Sequence, residues 1–148
     1  VNNFQDYIAP LRDIANCARD NGILVCLETI LNAEHLIKFV SELDHGAIKI
    51  VFDTGNRIAF GHDIPGDICK LGEIIQHVHL KDKNGANQNV ILGTGKVNFH
   101  DVFAALHTIN YQGPYTFETT RGAEPIDTAK FNIDLARFFA REVSYRAY

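Results

Sequence analysis

Four residues of this 148-residue chain have metal-binding side chains and recur at regular intervals: Glu28, Asp53, His79 and Glu118. Each closes a short run rich in apolar residues. Ile23-Leu24-Val25-Cys26-Leu27 precedes Glu28, Ile48-Lys49-Ile50-Val51-Phe52 precedes Asp53, Ile74 to Val78 precede His79, and Tyr115-Thr116-Phe117 precede Glu118. Such runs read as strands, and parallel α/β folds bind their ligands at the carboxyl ends of strands. Three carboxylates and one imidazole suit a single divalent cation. The acid-rich set favours Mn²⁺ or Mg²⁺; Zn²⁺ or Co²⁺ are the alternatives, and zinc more often recruits additional His or Cys. Without a cation, burying the three carboxylates together costs several kcal/mol each.

The elements that must position these groups alternate. Leu11, Ile14, Ala15 and Ala18 have helical spacing, with Asn21-Gly22 as a stop and Pro10 as a kink or start. Asn32 is placed to cap a helix carrying Leu36, Ile37, Val40 and Leu43, and Asn98 to cap one carrying Val102, Phe103, Leu106 and Ile109. A short helix is expected between Pro65 and Gly72, a polar loop over Lys83–Gln88, and a last helix carrying Leu135, Phe138, Phe139 and Val143. The late aromatic residues Phe131, Phe138, Phe139, Tyr145 and Tyr148 read as its packing face. His62, His100 and His107 read as exposed.

The four ligand candidates are 25, 26 and 39 residues apart. An eight-unit β/α barrel spends about 31 residues on each unit. The expected fold class is therefore α/β, with parallel (β/α) units forming half of a TIM barrel: four strands with covering helices, residues 1–148 as one domain. An open doubly wound sheet is the other closure. Alternation puts Cys26, Val51, His77 and Thr116 on the inner face beneath the ligands. Leu27, Phe52, Val78 or Leu80, and Phe117 then face the helices.

Composition excludes other classes. The net charge of −4 argues against phosphate-backbone binding, so nucleic acid is not a favoured partner. No apolar run approaches the length of a membrane helix. Cys17, Cys26 and Cys69 form no Cys-x-x-Cys, which points to a reducing cytoplasm. The chain contains no Met at all, so it is expected to be a piece of a longer one.

Five ordered motifs carry a resemblance: Cys26-Leu27-Glu28-Thr29, Phe52-Asp53-Thr54-Gly55-Asn56, His77-Val78-His79-Leu80-Lys81-Asp82, Leu92-Gly93-Thr94-Gly95 and Phe117-Glu118-Thr119. The sequence resembles the sugar phosphate isomerase/epimerase family of the xylose isomerase-like barrels, which is related to apurinic endonuclease IV. The resemblance implies the carboxyl half of an eight-stranded barrel, with Glu28, Asp53, His79 and Glu118 as metal ligands. It implies a small-molecule sugar substrate whose carbonyl the cation polarises. Glu28 and Glu118 would be the catalytic pair, one removing the proton beside the carbonyl and the other returning it. A related dehydratase starts the same way. Asn56 sits where many members place a substrate- or metal-binding His, and Lys81 and Arg121 are further substrate-binding candidates. Gly93-Thr94-Gly95 could approach a phosphate. The alternatives are an apurinic endonuclease-like phosphoesterase and a non-catalytic α/β fragment. A half barrel exposes two strand edges, so a missing half or a homodimer is an expected partner.

Overall fold

The computed structural model describes residues 4–146, and side chains up to Val143. The chain runs α1 (Gln5–Asp20), β1 (Val25–Leu27), α2 (Ala33–Leu43), β2 (Ile48–Asp53), α3 (Thr54–Ala59), α4 (Ile64–Leu71), a single 3₁₀ turn (Gly72–Ile74) and β3 (Ile75–Leu80). It continues through β4 (Asp82–Lys83), β5 (Asn89–Val90), α5 (Phe99–Thr108), β6 (Tyr115–Phe117) and α6 (Pro125–Arg146). Strands pair in the order β1-β2-β3-β6, every pair parallel. This is a four-stranded arc with covering helices, half of a barrel and not a closed one.

Local sequence explains the elements. Asn32 Oδ1 accepts the His35 amide at 2.9 Å and starts α2. Asn98 does the same for α5 through Asp101, and Asp63 for α4 through Gly66. Pro10 lies inside α1 without ending it. The helix stops at Asn21, and Gly22 supplies a positive φ of 67°. Asn32→Ala is expected to cost about 1 kcal/mol of stability, measured by urea denaturation.

The outward strand face makes the main core. Ile50, Phe52, Val78 and Leu80 are fully buried against Leu36, Ile68, Leu71, Val102 and Leu106 of the helices. A second cluster, with Ile8, Ala15, Phe39, Leu43 and Ile48, seats α1 on α2. The inner face is far less covered: Cys26, Val51 and His77 are half-buried, and Thr116 is exposed. Alternation thus runs as the residue types predict.

Several expectations need correction. The first strand is shorter than the run Ile23–Glu28; Ile23 and Leu24 are exposed. Asp53 leads directly into a helix, α3, that hydrophobic periodicity does not announce. The polar stretch after Lys83 is the turn of a two-stranded antiparallel ribbon, β4–β5. Among the described side chains of the late aromatic set, Phe139 packs inward, against Phe99 and Phe103, whereas Phe131 and Phe138 are exposed. Tyr148 and the side chain of Tyr145 lie outside the described residues. His62 and His100 are not exposed: His62 Nδ1 lies 3.1 Å from Arg57 Nη1 and 3.4 Å from Asp67 Oδ2, and His100 is half-buried with Nε2 inside. Among the described residues no helix is long and apolar enough to cross a membrane.

Candidate metal centre

The parallel register brings the strand ends level, with Asp53 beside His79 and His79 beside Thr116. Glu28 and Glu118 each stand one residue beyond their strands. One ligand atom from each of Glu28, Asp53, His79 and Glu118 falls within 4.8 Å of all the others. His79 Nδ1 lies 3.0 Å from Glu118 Oε1, 3.7 Å from Glu28 Oε2 and 3.9 Å from Asp53 Oδ2. That nitrogen is buried and makes no hydrogen bond of acceptable angle. A buried imidazole nitrogen that makes no hydrogen bond and faces three carboxylates belongs to a donor set that a divalent cation satisfies. The residues fit such an ion.

The Asp53-Thr54-Gly55-Asn56 segment has a physical account at each position. Asp53 Oδ1 caps α3 by accepting the Asn56 amide at 2.7 Å, while Oδ2 accepts the Lys81 ammonium at 2.6 Å. The fully buried Thr54 hydroxyl donates to the Lys81 carbonyl at 2.6 Å and accepts the Lys81 amide at 2.9 Å. It thereby ties the start of α3 to the end of β3. Gly55 leaves room for the Lys81 stem: a Cβ there would stand 2.4 Å from Lys81 Cγ. The Asn56 side chain donates through Nδ2 to Glu28 Oε1 at 3.2 Å and steadies the outermost carboxylate.

Lys81 is buried, with Nζ 2.6 Å from Asp53 Oδ2 and 2.5 Å from Glu118 Oε2. Burial alone depresses an ammonium pKa, but the hydrogen bonds and charges of Asp53 and Glu118 outweigh it, and the Lys81 value rises. The same hydrogen bond from Lys81 outweighs partial burial and holds the Glu118 carboxyl below its usual range. His77, one layer deeper, hydrogen-bonds Thr116 Oγ1 through Nε2 at 2.7 Å and meets His79 edge-on. Burial, then the neighbouring His79, lowers the His77 pKa. Arg121 is exposed and makes no hydrogen bond or ion pair with the described residues.

Sequence reasoning missed two supports. Arg57, buried in α3, donates to the Leu31 carbonyl at 2.6 Å, pairs with Asp67 at 3.3 Å and lies over the Phe52 ring. It joins the loop after Glu28 to the helix after Asp53. Asp82 is fully buried, and its carboxylate accepts the amides of Lys83, Gly93, Gly95 and Val97 at 2.8–3.0 Å. The glycine amides that a phosphate would need are committed to Asp82.

The xylose isomerase-like TIM barrel family matches residues 2–139. The chain is 30% identical over 128 residues to the uncharacterized protein MJ1311 of Methanocaldococcus jannaschii, covering 79% of this chain and 42% of that one. It is 29% identical over 125 residues to the L-ribulose 3-epimerase of Methylomonas sp. (strain DH-1), with the same two coverages, 79% and 42%. The chain thus spans less than half the length of these curated relatives. Among solved structures, a xylose isomerase domain protein from Planctomyces limnophilus superposes with a TM-score of 0.83 at 25% identity, over 95% of this chain and 55% of that one. Extent of match and fold agree, and the chain belongs to the xylose isomerase-like TIM barrel family.

Proposed function

We propose that the chain carries the metal-binding and proton-transferring half of a divalent-metal-dependent sugar or sugar-phosphate 3-epimerase. The observation that carries this reading is the convergence of Glu28, Asp53, His79 and Glu118 on one point, with His79 Nδ1 buried and without a hydrogen bond. The relatives named as ketose 3-epimerases support the substrate class. The four residues would hold Mn²⁺ or Mg²⁺, which supplies Lewis acidity for the carbonyl of a ketose and for the negative charge that develops beside it.

The chain's own groups do the rest. Epimerisation removes a proton from one face of the carbon next to the carbonyl and returns one to the other face. That needs two bases on opposite sides, and Glu28 and Glu118 come from strands at opposite ends of the arc. The proton leaves carbon for one carboxylate oxygen, and the other carboxyl donates its proton to the opposite face. The Lys81 hydrogen bond holds Glu118 in its ionised form, the form that accepts a proton. Asn56 Oδ1, free of hydrogen bonds within the described residues, would accept a substrate hydroxyl, and Arg121 would meet an anionic substituent. The free thiols of Cys17, Cys26 and Cys69 accord with a cytoplasmic setting.

The test is a chimera in which residues 1–148 replace the matching segment of the Methylomonas L-ribulose 3-epimerase. Expected is Mn²⁺-dependent exchange of the ketose C3 proton with deuterium from solvent, lost in Glu28→Gln and Glu118→Gln. A folded, Mn²⁺-loaded chimera without exchange would contradict the epimerase reading.

A further inference from the structure

We infer that Lys81 is a positioning residue that sets the charge of the metal centre. Its ammonium spans Asp53 and Glu118, fixes both carboxylates and leaves the four-residue site matched to one divalent ion. The inference rests on the metal reading above and concerns what that reading leaves open: why a cation of the protein's own sits among the ligands.

Before substrate binds, with all three ionised, Glu28, Asp53 and Glu118 bring three negative charges, and the Lys81 ammonium cancels one. A net charge of two remains, which one divalent ion neutralises. The ammonium reaches this place by construction and not by chance of a flexible chain. Its stem lies on Gly55, where a Cβ would clash at 2.4 Å. Its backbone is held at both N–H and C=O by the Thr54 hydroxyl. Nζ contacts Asp53 Oδ2 and Glu118 Oε2 from within the site, while Asn56 holds Glu28. Every oxygen that Lys81 contacts keeps a second lone pair for a metal. Outer groups of this kind orient ligands and tune the ion that they bind.

Charge gives a signature that packing does not. Each added charge on a bound ion meets the Lys81 ammonium once more, so a trivalent ion suffers more from it than a divalent one. The measurement is the ratio of Tb³⁺ to Mn²⁺ affinity, by luminescence and competition titration on the full chain. In Lys81→Met the ratio is expected to rise at least tenfold over the unsubstituted chain. Lys81→Gln, which keeps a hydrogen-bond donor but no charge, should rise in the same sense if Lys81→Met fails to fold. Lys81→Arg should stay within about threefold of the unsubstituted chain. A ratio unchanged in the two uncharged variants, with Mn²⁺ still bound, would overturn the inference alone. Failure of the unsubstituted chain to bind either ion would overturn the metal reading and this inference with it.

Discussion

Glu118→Gln is expected to lower Mn²⁺ affinity about 100-fold or more, and His79→Ala to do the same, with the fold retained in both. The reasoning is one of donor count. A four-residue site that loses one ligand keeps three, and changes even one shell further out typically cost 10–100-fold. Glu118 Oε1 also stands 3.0 Å from His79 Nδ1, nearer than either other carboxylate of the cluster, so either change opens this contact. The amide of Gln conserves shape but removes a charge. Calorimetric titration, with thermal unfolding in the presence and absence of Mn²⁺, checks both variants. Glu118 is partly exposed and lies beyond the core strands, so unfolding without metal should shift little. Unchanged Mn²⁺ affinity in both would refute a shared site.

Asp82→Ala is expected to cost about 3–4 kcal/mol of folding stability. The carboxylate is fully buried and accepts four backbone amides, gathering the turn 92–97 onto the end of β3. Hydrogen bonds to a charged group contribute about 1.5–3 kcal/mol each, and water entering at the exposed glycines recovers part of the loss. Gly95→Ala should be harmful by a different route. A Cβ there would stand 2.3 Å from Asp82 Oδ1 and 2.6 Å from the Lys83 carbonyl, and that backbone oxygen cannot swing aside. Urea denaturation measures both. Asp82→Asn, which keeps the shape without the charge, should fall between Asp82→Ala and the unsubstituted chain.

The places of the four main strands and the facing of the central two were legible because two signals coincide: apolar runs and a polar group at each carboxyl end. Alternation then assigned Phe52 and Val78 to the helix side and His77 to the inner side, where it bonds Thr116. What escaped was set by contacts distant in sequence. Nothing local tells that Lys81 turns back to Asp53 and Glu118, or that Asp82 gathers amides up to fifteen residues later. Asp53 was readable as a ligand candidate, but its second task as the cap of α3 was masked by the polar composition of that helix. Exposure of Phe131 and Phe138 was equally hidden. On a half barrel, helical spacing does not say which apolar stripe finds a sheet to cover.

The most direct measurement of the central claim is pulsed electron paramagnetic resonance of one equivalent of Mn²⁺ bound to the full chain. The account predicts one ion with a single imidazole nitrogen coupled to it, a signal that disappears in His79→Gln. Mn²⁺ that stays fully hydrated, or a nitrogen coupling that survives His79→Gln, would contradict it.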